Sequence, residues 1–147
     1  MVVRDATPDD LPDILAMVRE LAAYEREADA VVFDADEVAR NLFGPDRVAH
    51  ALVAQTPAGD VAGFAIWFRT FSSWLGTSGI WLEDLFVRPE HRRFGLGREL
   101  LGALRSRTDG RIEWAVLDWN APAQEFYRSL GAAPQDEWTT WRWPPVR

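Results

Sequence analysis

Residues 61–71, VAGFAIWFRTF, are apolar at almost every position, so a strand built from them is apolar on both faces. Such a strand belongs in the middle of a sheet, where both faces are covered. Its neighbours in sequence also read as strands. VAHALVAQ at 48–55 precedes it across the turn signal TPAGD, and IWLEDLFV at 80–87 follows it across SSWLGTSG. Three strands in a row pair antiparallel.

Helical periodicity surrounds this block. In ATPDDLPDILAMVRELAAYER, Thr7 is an N-cap and Pro8 suits the first helical position. Asp9 and Asp10 sit at the positive end of the helix dipole. Leu11, Ile14, Leu15, Val18, Leu21 and Ala22 then form one apolar stripe. FDADEVARNLFG reads as a shorter helix with Asp34 as N-cap, Glu37 completing a capping box and Gly44 closing it. A third helix starts in the glycine segment HRRFGLGREL at 91–100, with Leu96, Leu100, Leu101 and Leu104 inward. RIEWAVLDW at 111–119 reads as a strand, and NAPAQEFYRSL as a helix capped by Asn120 and closed by Gly131. VVR at 2–4 is a short opening strand, and two short strands finish the chain, the last around WTTWRW. The order β-α-α-β-β-β-α-β-α-β-β predicts an α/β (α+β) fold in one domain, 1–147. It has a mixed central sheet of about seven strands flanked by about four helices.

Composition excludes several functions. The 147 residues contain no cysteine, which rules out disulfides and thiolate metal sites. His50 and His91 are the only histidines, so no metal site is expected. The net charge of −7 repels nucleic acid and anionic lipid. No apolar run is long enough to span a membrane and MVVRDATPDD is no signal peptide, which predicts a cytoplasmic protein.

The glycine segment admits two readings. A helix N-terminus after a glycine turn presents unused N–H groups and partial positive charge, which suits an anion. Gly95 and Gly97 let the backbone approach a ligand, and Arg92 and Arg93 add charge. Glycines at a strand–helix junction are equally often only a turn. The dinucleotide fingerprint fails because Leu100 stands where its third glycine belongs, and the P-loop fails because the chain has no lysine.

The flanking residues resolve this through a resemblance. WLEDLFVRPEHRRFGLG is similar to the acidic strand and [QR]-x-x-G-x-[GA] loop of the GNAT superfamily of acetyl-CoA-dependent N-acetyltransferases. WNAPAQEFYRSLGA is similar to that family's later asparagine and tyrosine-bearing helix. RELAAYERE, TFSSWLGTSGIWLEDLFV and LDWNAPAQEFYRSLGA resemble spermidine/spermine (diamine) N-acetyltransferases most. The resemblance implies that Phe94, Gly95, Leu96 and Gly97, with Arg92 and Arg93, cradle the CoA pyrophosphate. It also implies that Leu85, Phe86 and Val87 border the pantetheine arm and that Asn120 touches the cofactor. Family members pair, so a homodimer is expected, with the WTTWRW end suited to the interface. Arg93 stands where the subfamily commonly has glycine, and Ala132-Ala133 where Gly-Phe is frequent.

Acetyl transfer from a thioester to an amine requires a base for the amine proton, donors for the oxyanion and an acid for the leaving thiolate. The resemblance places Tyr127 beside the CoA sulfur as that acid, although Ala123, Phe126, Tyr127 and Leu130 also form a simple packing stripe. Glu83 is the candidate base, acting directly or through water, and Asp84 a substrate contact. Strict alternation puts these two on opposite faces of their strand, so they share a cleft only if the strand bulges. Trp74 is expected to wall the amine site. Tyr24, Glu25 and Glu27, at the acid-unfavourable end of the first helix, are candidates for holding a second ammonium. The expected partner is a small, polycationic or lysine-like amine. The alternatives are a non-catalytic acyl-CoA-binding module and a peptide or protein acetyltransferase.

Overall fold

The apolar run at 61–71 forms the third of five strands in a single sheet. The computed structural model describes residues 1–146, and the chain divides into two units, Met1–Ala115 and Val116–Arg147. The first unit contains β1 (Val2–Asp5), α1 (Leu11–Tyr24), α2 (Ala35–Phe43), β2 (His50–Gln55), β3 (Val61–Ser72), β4 (Thr77–Val87), α3 (Leu96–Arg105) and β5 (Ile112–Glu113). The second contains α4 (Ala121–Ser129). The strands lie in sequence order. Every pairing is antiparallel except β4 with β5, which run parallel across the α3 connection. The sheet is therefore mixed, as expected, but it has five strands and not about seven.

The differences lie after residue 111. The strand expected at 111–119 is confined to Ile112 and Glu113, which pair with Ile80 and Trp81. The two closing strands are absent among the described residues. A strand needs a partner edge, and the segment around WTTWRW instead leaves Trp138, Trp141 and Trp143 exposed. Pro134, Pro144 and Pro145 also withhold backbone donors there. In the other direction, β4 starts three residues earlier than expected. Ser72 pairs with Thr77, which reduces the loop to four residues, 73–76, reversed at Gly76 (φ +68°).

Both faces of β3 are covered. Phe64 and Ile66 pack with Ile14 and Met17 of α1, Leu42 of α2, and Ala51, Val53 and Phe86. Residues of opposite parity, Ala65 and Trp67, are buried as well, and so are Leu96, Leu100, Leu101 and Leu104 of α3, which packs against β2, β3 and β4. Burying each of the Leu, Ile, Val, Met and Phe side chains among these contributes about 1.5–3 kcal/mol.

Two ion-pair clusters hold α1 in place. Asp10, buried just before α1, receives Arg4 through both oxygens, at 2.8 and 2.9 Å, and the Thr7 N–H at 2.8 Å. Arg88, just after β4, reaches Glu20 at 3.1 and 3.2 Å, Asp13 at 3.5 Å and the Val61 carbonyl at 3.0 Å. The Arg4 guanidinium holds the Asp10 carboxyl below its ordinary range, with the Thr7 N–H adding to the effect against the opposing cost of burial. Asp10 ionises more readily folded than unfolded. Its stabilisation is therefore complete above the unfolded value, about 3.9, and is lost as pH falls through the folded one. Asp10→Asn is expected to lower stability by about 1.5–3 kcal/mol at pH 7, the usual worth of hydrogen bonds to a charged group. Urea unfolding at pH 7 and at pH values below about 3.9 checks this, with the difference between the two proteins shrinking as the pH falls.

Candidate active site

The register of β4 changes at one residue. Ile66 faces Asp84, but the next residue, Trp67, faces Leu82, so Glu83 is an extra residue with no partner on β3. Before it, Trp81 faces Phe68 and shares the parity of Ile66 and Phe64. After it, Asp84 faces Ile66 and Phe86 faces Phe64. Trp81, Asp84 and Phe86 therefore lie on the α1 face. Glu83 joins them, because Trp81 Nε1 donates to Glu83 Oε2 at 2.9 Å. The bulge is what puts two adjacent carboxylates on one face.

A third carboxylate comes from α1. Glu25 caps the C-terminal end of α1 and Arg26 follows with φ +63°. Asp84 is half-buried, and burial, then the charge of Glu83, then that of Glu25, push its carboxyl up to about 6. Burial also raises Glu25. Three acids within electrostatic reach, two of them desolvated, form a site that favours a cation.

On the other edge of β4, the strand pairing with β5 ends at Trp81. Arg88 N–H donates to the Ala62 carbonyl at 2.8 Å. Bonded rungs recur every second residue, so Phe86 and Asp84 bond to β3, while Leu85 and Val87 direct their N–H and C=O groups away from it. The Val87 carbonyl accepts from Arg92 Nε at 2.8 Å. The Arg92 guanidinium also lies over the rings of Tyr24, at 5.7 Å, and Phe86, at 5.5 Å. Arg92 thus joins the glycine loop to the end of α1 and the edge of β4. The Phe86 side chain itself is buried in the core.

The glycine loop leads into α3 through residues of unusual backbone. Arg93 and Gly95 both have φ +76°, and Gly95 is the N-cap of α3. A Cβ at Gly95 would meet nothing within 4 Å. The loop is open on that side, and the first N–H groups of α3, at Leu96 and Gly97, have no acceptor within the helix. Phe94 is exposed beside them. These residues fit an anionic phosphate group approaching the helix N-terminus.

Residues 14–132 match the acetyltransferase (GNAT) family. The chain belongs to that family. It is 32% identical over 152 residues to the thialysine N-epsilon-acetyltransferase of Bos taurus, covering 96% of this chain and 89% of that one. It is 32% identical over 140 residues to the human spermidine/spermine N(1)-acetyltransferase-like protein 1, covering 88% of this chain and 20% of the relative. Among solved structures, a possible acetyltransferase from Clostridium difficile 630 superposes with a TM-score of 0.79 at 21% identity, covering 99% and 98% of the two chains. This last likeness supports the fold alone.

Acetyltransferases of the GNAT family use acetyl-CoA, and among the described residues of this chain no group of three or more metal-binding side chains occurs. No helix is long and apolar enough to cross a membrane. In the second unit, Asn120 caps α4 by accepting from the Ala123 N–H at 3.3 Å. Tyr127 lies one turn further on, its ring 5.4 Å from that of Phe126. Trp74 occupies the β3–β4 turn and is exposed. The last rung before that turn, Ser72–Thr77, is six residues along β3 from the Asp84 rung, about 20 Å. Trp74 therefore does not join the carboxylates within this chain, because β3 and β4 stay paired to the tip. Two residues that hold the site together escaped the motif reading, Trp81 and Arg88. The spacing of Trp81 and Glu83 on one strand face is the signal that points to the first.

Two outcomes follow from this geometry. Between the unfolded value and about 6, the unfolded state releases the Asp84 proton before the folded state does, so folding stability falls with rising pH. Asp84→Asn removes that cost. It is expected to gain about 1–3 kcal/mol above pH 7, a gain that vanishes towards pH 4 in urea titrations. Arg93 adopts a conformation that suits glycine. Arg93→Gly is expected to gain up to about 1 kcal/mol of stability, raising Tm by about 2–4 °C in calorimetry.

Proposed function

We propose that this acetyltransferase moves the acetyl group of acetyl-CoA to a primary amine of a small substrate with a second positive charge: a diamine, a polyamine or a lysine-like amine. The observation that carries this reading is the gathering of Glu83, Asp84 and Glu25 by the β4 bulge and the end of α1. A cationic substrate relieves their mutual repulsion, whereas a neutral or anionic one does not. The names of the relatives agree, since thialysine and spermidine both carry more than one amine.

The amine attacks only as the free base. Glu83, exposed on the bulge, takes its proton directly or through water. Asp84 and Glu25 hold the distal ammonium with the help of Tyr24. The acetyl thioester supplies the electrophile. The helix N-terminus at Gly95–Gly97 and the Arg93 guanidinium hold its phosphates, and Leu85 and Val87 align its amide-bearing arm along the open edge of β4. Tyr127 takes the role of acid to the leaving thiolate, by family resemblance, and Asn120 that of a cofactor contact. With no cysteine in the chain, transfer is direct. The exposed Trp138, Trp141 and Trp143 suit a homodimer contact, and residues 1–147 are read as one cytoplasmic acetyltransferase domain.

A side-by-side assay of spermidine, a short diamine, a lysine analogue and a monoamine of equal length, read by thiol release, tests the substrate class. The charged substrates are expected to show about 10- to 100-fold higher kcat/KM, from about 1–3 kcal/mol per ion pair, with a preference that shrinks at higher salt. Equal efficiency for all four, or preference for an anionic amine, would overturn the polycation reading. Absence of thiol release with every amine would overturn catalysis itself.

A further inference from the structure

We propose that Trp81 is a positioning residue for the reaction, acting through Glu83. The inference rests on the reading of Glu83 as the base. Glu83 is the inserted residue of the bulge, so its backbone lies outside the regular ladder with β3, and its side chain is exposed. An exposed glutamate on such a backbone has three free side-chain torsions and no fixed place for its carboxylate. Trp81 supplies that place. Trp81 faces Phe68 in regular pairing, is partly buried, and is held on its other side by parallel pairing with Glu113. From this rigid position its indole N–H donates to Glu83 Oε2 at 2.9 Å.

The chemistry follows from which oxygen is used. An indole N–H only donates, and it engages one carboxylate oxygen. Glu83 Oε1 is left to accept the amine proton or that of an intervening water, from an orientation set by a residue that touches no substrate. The donor cannot itself deliver a proton, so Trp81 orients the base without competing with it. No other residue on the α1 face of β4 has this property: Asp84 and Phe86, the next two along that face, have no side-chain N–H.

Steady-state kinetics with spermidine and acetyl-CoA on Trp81→Phe, Trp81→His, Glu83→Ala and the Trp81→Phe/Glu83→Ala double variant test this. Trp81→Phe keeps an aromatic ring and loses the donor, and its kcat is expected to fall about 10-fold, a part of the usual general-base contribution, with KM for acetyl-CoA unchanged. Trp81→His, which keeps a ring N–H, is expected to recover most of the loss. In the Glu83→Ala background Trp81→Phe is expected to cost nothing further. A normal kcat for Trp81→Phe beside an impaired Glu83→Ala overturns the positioning role and leaves the base standing. A full kcat for Glu83→Ala overturns the base assignment and the positioning role with it. An equal loss in both backgrounds makes Trp81 a packing residue only. The indole N–H resonance of Trp81 gives a readout independent of turnover. It is expected to move upfield in Glu83→Ala, and an unmoved resonance overturns the contact.

Discussion

One inserted residue in β4 governs the arrangement of the site. Without Glu83 as a bulge, alternation would place Asp84 on the α3 face with Ile80 and Leu82, in an apolar layer where a carboxylate has no partner. With it, the strand reverses its facing at that point. Ile80 and Leu82 stay beneath α3, Phe86 joins the core under α1 and α2, and the two acids emerge towards the end of α1. A bulge also loosens the local ladder and increases twist, which suits a strand whose pairing with β5 ends just before it, at Trp81. The same residue that we propose as the base therefore sets the facing of everything after it in the strand.

Bringing acids together is destabilising, and the fold offsets this elsewhere. Asp84 is pushed up by burial and by two like charges, while Asp10, equally an aspartate, is held down by a bidentate arginine. The contrast lies in the partners. Asp10 and Arg4 close α1 onto β1, and Arg88 ties the other end of β4 to Asp13 and Glu20 of α1. These pairs fix the helix whose C-terminal end carries Tyr24 and Glu25, so the placement of Glu25 near Asp84 depends on charges about one to four helical turns away. Strain is concentrated in the same region. Arg26 at the end of α1 and Arg93 in the glycine loop are the described non-glycine residues with positive φ. Such strain persists where the surrounding structure over-determines the backbone, commonly beside a ligand site.

Arg92 links these features. Its guanidinium rests on Tyr24 and Phe86 while its Nε binds the Val87 carbonyl. That places a cation where the end of α1, the β4 edge and the glycine loop meet. Arg93 and the N-terminus of α3 then carry positive potential, while the α1 face of β4 carries negative potential. A chain with net charge −7 overall thus presents two regions of opposite sign on one strand and the loop that follows it.

Much of this was legible in the residues themselves. The two-faced apolarity of 61–71 placed β3 in the middle of the sheet. The stripe from Leu11 to Ala22 and the caps at Asp34 and Asn120 located their helices, because periodicity and capping act within a few residues of chain. The glycines flanking Leu96 marked the open turn before α3 for the same reason, since the left-handed backbone at Gly95 is a local demand. Three things depended on residues far apart in sequence. The face taken by Glu83 and Asp84 was decided by how β4 registers against β3, and the suppressed ionisation of Asp84 by its burial, then by Glu83 and by Glu25, nearly sixty residues upstream. The extent of the last strands was decided by whether an edge was present to pair with, which is why WAVLDW and WTTWRW, both strand-like in composition, do not extend the sheet. Local sequence determines what a segment can form; register, burial and the partner edge, all set by tertiary structure, decide which face it shows and what its charges meet.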